Sequence, residues 1–104
     1  MEYTRKLDNV SKESIIDSGI KISGNMDEIT YAEIFDFLSE NGIEVFIQYN
    51  FYRNKYYSRA LDKEIDSYKE SELYEKSFNA FRDAVVNGMY LLKEKIGRTP
   101  QGCP

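Results

Sequence analysis

The pattern of apolar and polar positions predicts a first amphipathic helix over about residues 30–41. Thr30 and Glu33 have the spacing of a capping box, in which each side chain satisfies the other residue's free backbone N–H group. Asn41 and Gly42 are typical of a left-handed exit from a helix. The apolar stripe, with Phe37 beside it, consists of Tyr31, Ile34, Phe35 and Leu38.

A second, longer helix is predicted from a Ser71 cap to about residue 96, before Gly97. Its apolar residues recur every three or four positions, which is the period of one helix face. They are Tyr74, Phe78, Phe81, Val85, Met89, Leu92 and Ile96. Small residues run beside this stripe and permit close approach to a sheet or another helix; they are Ser77, Ala80, Ala84 and Gly88.

Between these helices, residues 43–51 alternate as a strand does, with apolar side chains at the odd positions. We expect the odd side to face the core and the even side, which includes Phe46, to face away from it. Residues 53–55 are a plausible turn, and residues 56–61 predict a returning strand. A short third strand through Ile65 and Tyr68 is also predicted.

These elements predict an α+β fold in which two helices pack on one face of a two- or three-stranded antiparallel sheet. The predicted order is α-β-β-(β)-α, and 104 residues suit one domain of this kind. We place the domain at 29–97, after a partly ordered arm at 1–28 and before a flexible tail at 98–104. Within the arm, Ser11 is a possible cap for a short helix that ends before Gly19.

The long helix is expected to extend beyond the sheet. Residues 72–96 span roughly 37 Å as a helix, whereas strands of seven residues span about 23 Å. Met89, Leu92 and Ile96 on the extending part must then be covered by the N-terminal segment or by a second subunit. Both alternatives are open from the sequence, so Met89 and Leu92 are candidate interface residues.

Nine Tyr and six Phe make the chain 14% aromatic. If the odd side of strand 43–51 is buried, Phe46 and Tyr52 lie on the opposite face with either Tyr56 or Tyr57. Such a patch is typical of a protein contact surface, so we expect a protein partner or a homo-oligomer. The alternative is that residues 11–29 fold over the patch.

The hairpin at 49–59 suggests a second binding hypothesis. It interleaves five aromatic residues with Arg53, Lys55 and Arg59 and contains no acidic residue. Aromatic rings stack on bases and cations pair with phosphates, so this composition suits single-stranded nucleic acid. Because the whole chain has a net charge of −4, and nucleic-acid binding normally requires a basic surface, protein contact is the leading hypothesis.

Enzymatic chemistry has little support in the sequence. The chain has no His, and its single Cys, Cys103, lies in a Gly- and Pro-containing tail. The acidic run that begins at Asp62 has Ser67 and Leu73 where a calcium loop requires Gly and Glu. We therefore predict a non-enzymatic protein with no catalytic residue, metal site or cofactor. The lone Cys predicts a reducing cytoplasm, and the short apolar runs predict no membrane span.

The segment that opens Thr30-Tyr-Ala-Glu-Ile-Phe-Asp-Phe-Leu and continues to Gly42 and Ile43 resembles small proteins of phages and bacterial mobile elements. The closing helix, with Ser77-Phe-Asn-Ala-Phe-Arg-Asp-Ala-Val85, shares their Ala-rich amphipathic pattern. The resemblance covers about residues 29–96 and departs at the longer N-terminal arm and at Phe37, where Trp is expected. It implies a bacterial or phage cytoplasmic origin and brings no catalytic residue.

Overall fold

The computed structural model describes residues 4–22 and 24–98 of the chain. Its elements are α1 (Asn9–Ser18), α2 (Tyr31–Glu40), β1 (Ile43–Asn50), β2 (Lys55–Asp62), β3 (Ser67–Glu70) and α3 (Ser77–Arg98). The strands form one antiparallel sheet in the order β1-β2-β3. The predicted α+β fold is confirmed, and the sheet has the third strand.

The first hairpin closes through a four-residue turn between Asn50 and Lys55, which are paired across β1 and β2. The Asn50 side-chain oxygen accepts hydrogen bonds from the backbone N–H groups of Tyr52 (3.0 Å) and Arg53 (3.1 Å). Asn54 ends the turn at a φ of 53°, a left-handed conformation that Asn tolerates better than most residues. The turn therefore begins two residues earlier than the sequence pattern suggested.

A second four-residue turn joins β2 to β3, with Asp62 paired to Ser67. Its last residue, Asp66, has a φ of 57°, so both turns end on a side chain that tolerates this conformation. Ile65 lies in this turn and is exposed. The third strand accordingly starts at Ser67, after the predicted position.

The chain continues to pair with β2 after β3 ends. The backbone N–H of Ser71 donates to the carbonyl of Ser58 (2.9 Å), and that of Tyr74 donates to the carbonyl of Tyr56 (2.7 Å). From one of these hydrogen bonds to the next, the chain advances three residues, from Ser71 to Tyr74, whereas β2 advances two, from Ser58 to Tyr56. This mismatch is a β-bulge. The predicted Ser71 helix cap is therefore wrong, because the Ser71 hydroxyl accepts from the Ser58 N–H instead, and α3 begins at Ser77.

The helices α2 and α3 cover one face of the sheet. α3 crosses β1 and β2, and α2 packs against α3 and β1. Ala80, Ala84 and Gly88 are buried, which confirms the predicted close approach. The core that results contains Ile34, Leu38, Ile43, Val45, Ala60, Phe78, Phe81, Val85, Met89, Leu91 and Leu92.

The N-terminal segment covers the extending part of α3. α1 packs against α3, and Ile15 is fully buried in the same core as Met89 and Leu92, which are 1% and 2% exposed. Met89 and Leu92 are therefore not available as interface residues. A second subunit is unnecessary to cover Met89 and Leu92, because residues of the same chain fill that space, whereas Ile96 stays 45% exposed.

Polar contacts hold α1 in place. Asp8 caps the helix by accepting from the Ser11 N–H (2.8 Å), and Arg82 on α3 donates to the same carboxylate (3.1 Å). Burial raises the pKa of Asp8, but the hydrogen bonds from Ser11 and the charge of Arg82 outweigh it and lower that pKa overall. The predicted Ser11 cap is therefore replaced by Asp8.

The segment before α1 also belongs to the folded unit. Leu7 is buried and its N–H donates to the Ile29 carbonyl (3.1 Å). The domain thus begins before the predicted boundary at residue 29. At the other end α3 reaches Arg98, and the remainder of the predicted tail, with Cys103, lies outside the described residues.

Candidate protein-contact surface

One face of the sheet points away from all three helices, and we call it the outer face. The register pairs Phe46 with Arg59, Gln48 with Tyr57, and Leu61 with both Glu44 and Tyr68. Because side chains alternate across a strand, these residues share a face. Phe46 is 43% exposed and Tyr68 is 54% exposed.

The N-terminal residues do not cover this face. Ile20, Ile22 and Met26 pack against the core on the helix side, and α1 lies on α3. The alternative that residues 11–29 fold over the outer face is therefore wrong. This segment packs beside α3 instead, and the aromatic side chains of the outer face stay in contact with solvent.

The opposite side of β1 changes character along its length. Val45 is buried and Ile47 packs against the core, as predicted, but Tyr49 is 39% exposed and Phe51 is 82% exposed. The first hairpin extends beyond the cover of the helices, and Phe51 lies in its turn rather than in the strand. Burial of the odd side therefore holds only for the first half of β1.

A shallow concavity of about 320 Å³ lies at the centre of the outer face. Arg59 crosses it, with its guanidinium 4.5 Å from the centre of the Tyr68 ring and an ion pair to Glu70. The hydrogen bond to Glu70 raises the pKa of Arg59. The other lining residues are Phe46, Gln48, Leu61 and Asp66. Since its charge is neutralised locally, Arg59 is a poor phosphate ligand but a suitable flat surface for another side chain.

The turn of the first hairpin and Lys55, the first residue of β2, form a second exposed area, residues 51–55, that we call the tip. Phe51 is 82% exposed and Tyr52 is 98% exposed. Tyr49 supports the base of the tip, since its ring packs edge-on against those of Phe51 and Tyr56 at 5.1 Å each. Despite its contact with Tyr49, the Phe51 ring stays largely open to water, as does the Tyr52 ring.

The charge of this hairpin differs from that of the rest of the chain. Residues 45–61 contain three basic and no acidic residues, so they carry +3 within a chain of net charge −4. Arg59 is paired with Glu70, whereas no ion pair to Arg53 or Lys55 is formed within the described part of the chain. The tip is therefore aromatic and cationic at the same time.

The structure separates the predicted site residues into four groups. Phe46, Tyr57 and Arg59 lie on the outer face, and Tyr52, Arg53 and Lys55 lie at the tip. Tyr56 lies on the helix side, opposite Tyr49. Met89 and Leu92 lie in the core. Tyr68 and Leu61 were missed, although the alternation of the predicted returning and third strands contained the signal.

Tyr74 has a strongly shifted pKa and lies where the extension of β3 meets α3. Its hydroxyl donates to the Asp83 carboxylate, and this hydrogen bond, with burial, raises the pKa of Tyr74 to about 12. The phenol therefore stays protonated near neutral pH and serves as a structural link. Across residues 4–22 and 24–98, no group of three or more acidic or Cys side chains could hold a metal ion.

Comparisons with protein-family models, curated proteins and solved structures found no match to this chain. Within the described residues, no helix is both long enough and apolar enough to cross a membrane. The resemblance to phage and mobile-element proteins stays a prediction, as does the cytoplasmic location. Function is therefore inferred from the surface itself.

Proposed function

We propose that this protein is a non-enzymatic binding protein that acts through protein–protein contacts. The contact surface comprises the outer face and the tip. The observation that carries the proposal is the exposure of Phe46 and Tyr68 on the outer face and of Phe51 and Tyr52 at the tip. Large aromatic side chains beside Arg are typical of the residues that contribute most to binding between proteins.

The energetic argument is that exposed rings gain free energy when a partner removes them from water. Burial of apolar surface contributes about 25 cal/mol per Å². Tyr and Phe lose little side-chain entropy on binding because they have two rotatable side-chain bonds. Arg59 is already held by Glu70 and Tyr68, so a partner that stacks on it meets a preorganised group.

The test is affinity capture from the source cell with the full chain as bait, quantified by mass spectrometry. Tyr52→Ala and Phe46→Ala baits are compared with wild type. We expect at least one protein, or the chain itself, to be retained by wild type and reduced roughly tenfold, the factor that about 1.4 kcal/mol produces, by either substitution. Both side chains are exposed, so the fold should survive the change.

Ile16→Ala is the matched control, because Ile16 is 63% exposed and lies on α1, away from the outer face. We expect this variant to retain the same proteins as wild type. The proposal is wrong if the wild-type bait retains nothing above background and stays monomeric in light scattering. It is also wrong if Ile16→Ala reduces capture as much as Tyr52→Ala does.

A second candidate function, binding of single-stranded nucleic acid, is favoured by the tip alone. Phe51 and Tyr52 offer stacking surfaces, and Arg53 and Lys55 have no ion pair within the described residues. Stacking on an aromatic ring contributes about 1–3 kcal/mol per base. Arg59 is excluded from this role because Glu70 neutralises it.

Fluorescence anisotropy with a labelled oligothymidylate at low salt tests this candidate. We expect binding that weakens with salt and is lost when Arg53 and Lys55 are both changed to Ala. Lys12→Ala, which removes a cation on α1 paired with Asp27, is the control and should leave binding unchanged. Absence of binding by the wild-type chain at low salt would eliminate the candidate.

A further inference from the structure

The free edge of β1 is the strongest unassigned feature of the molecule. β1 is the outermost strand of the sheet, and no segment within residues 4–22 and 24–98 pairs with its outer edge. Every second residue of such a strand directs its N–H and C=O groups outward. Residues 45–50 contain no charged residue, Pro or Gly, which are the features that usually protect an edge from pairing.

Apolar surface flanks this edge on both sides. On the helix side, a groove of about 340 Å³ separates β1 from α2, with Asp36 as its one charged lining residue. Its other lining residues are Ala32, Phe35, Val45, Ile47 and Phe81. On the outer face, Phe46 stands beside the same edge and is 43% exposed.

We propose that a second copy of this chain pairs its β1 antiparallel along this edge, which joins two three-stranded sheets into one. A two-fold axis near Ile47 relates the copies. This proposal rests on the proposed function: it names a second copy of the chain as the protein partner, and it places the contact at the β1 edge. Stable dimers bury at least about 1,200 Å² in total, and the groove and Phe46 extend the contact beyond the paired backbones.

Charge complementarity argues for a second copy and for the antiparallel direction. With Ile47 opposite itself, the tip that follows β1 in one copy lies towards the start of β1 in the other, where α2 ends. Glu40, the last residue of α2, is exposed there. The cationic tip of each copy thus approaches the acidic end of α2 in the other, and the contact occurs twice.

The other edge of the sheet explains why the assembly closes at two copies. β3 has four residues, contains Lys69, and is followed by the bulge between Ser71 and Tyr74. Such an edge is a poor template for a further strand. A pairing that uses the same edge of both copies is self-complementary and leaves only the protected edges open.

Sedimentation equilibrium of the full chain, with Phe46→Lys as the disrupting variant, tests the proposal. Phe46 falls opposite residue 48 of the second copy, so a lysine there puts two cations into the contact. We expect wild type to dimerise and Phe46→Lys to raise the dimer Kd at least tenfold, which corresponds to about 1.4 kcal/mol.

Ile16→Lys is the matched control. Ile16 is 63% exposed and lies on α1, away from the outer face and the β1 edge, and we expect its dimer to equal that of wild type. If Ile16→Lys disrupts the dimer as strongly as Phe46→Lys does, the edge pairing is overturned. If wild type is monomeric but captures a protein through Tyr52, the edge pairing fails and the proposed function stands.

A cross-link in a Cys103→Ser background gives a readout that does not depend on a disrupted variant. Ile47→Cys places one thiol near the two-fold axis, and mild oxidation should produce a covalent dimer. Tyr68→Cys in the same background should give no covalent dimer, because residue 68 lies two strands from the edge. A wild-type dimer in which Ile47→Cys gives no more covalent dimer than Tyr68→Cys contradicts the proposal.

Discussion

The two faces of the sheet are made from the same three strands but differ in what covers them. The inner face, under α2 and α3, buries Ile43, Val45 and Ala60 and excludes water. The outer face holds Phe46 and Tyr68 in contact with solvent. Alternation along β1 puts its apolar side chains on the side that the helices cover and leaves Phe46 among polar residues on the other side. The open face is therefore where binding is expected.

The faces also differ in how they hold charge. On the inner face, Asp62 is 1% exposed in its side chain and pairs with Arg98 at 2.6 Å. The pairs near the outer face, Arg59 with Glu70 and Lys63 with Glu44, stay partly in water. A buried carboxylate depends on its partner far more than an exposed one does. We therefore expect the free energy of unfolding to depend strongly on the ion pair of the inner face and weakly on the ion pairs near the outer face.

The largest expected effect comes from truncating the inner face. Ile43→Ala removes a fully buried side chain and leaves a cavity next to Leu38 and Gly88. We expect the free energy of unfolding to fall by about 2–5 kcal/mol, measured by urea denaturation at low protein concentration. Phe46→Ala is the control on the other face, and a loss of less than about 1 kcal/mol is expected. Equal losses would contradict the division into two faces.

The next effect concerns the buried carboxylate. Arg98→Ala leaves Asp62 with the Glu64 backbone N–H, at 3.0 Å, as its remaining hydrogen bond. Because Arg98 is itself 41% exposed, we expect a loss of about 1–3 kcal/mol, below the range for a fully buried pair. Lys63→Ala breaks the exposed pair and should cost less than about 1 kcal/mol. If the Lys63→Ala variant were less stable than Arg98→Ala, the expected difference between the buried and the exposed ion pair would be refuted.

A smaller effect is expected where α3 approaches the sheet most closely. A Cβ at position 88 would lie 2.7 Å from Leu38 Cδ1 and 3.4 Å from Ile43 Cγ2. Leu38 is fully buried and cannot move freely, so crowding should outweigh the helix preference of Ala, with a net loss of about 1 kcal/mol. Gly97→Ala, with open space around it, should instead be neutral or slightly stabilising. Thermal unfolding of both variants checks this.

The smallest effect is a pH dependence. The pKa of Tyr74 is raised from 10.0 to about 12 in the folded chain, so its contribution to stability is full below pH 10 and is lost as pH rises through about 12. The stability difference between wild type and Tyr74→Phe should therefore shrink between pH 10 and 12. Urea denaturation of wild type and Tyr74→Phe across this pH range measures the difference. A constant difference for Tyr74→Phe would contradict the assignment.

The sequence by itself determined the elements whose signals are local. The α2 capping box forms as predicted, with Thr30 Oγ1 accepting from the Glu33 N–H and Glu33 accepting from the Thr30 N–H. Strand alternation placed Val45 on the helix side and Phe46 on the outer face. These predictions held because capping and alternation depend on residues a few positions apart, whose geometry the backbone fixes.

The tertiary structure alone decided where the N-terminal segment packs and where α3 begins. Residues 72–76 have a helical pattern, but pairing of Tyr74 with Tyr56 fixes them as an extension of the sheet. α1 covers α3 rather than the outer face because the last turns of α3 leave apolar surface that Ile15 fills. Contacts between residues far apart in the chain set both outcomes, and they can override local preference.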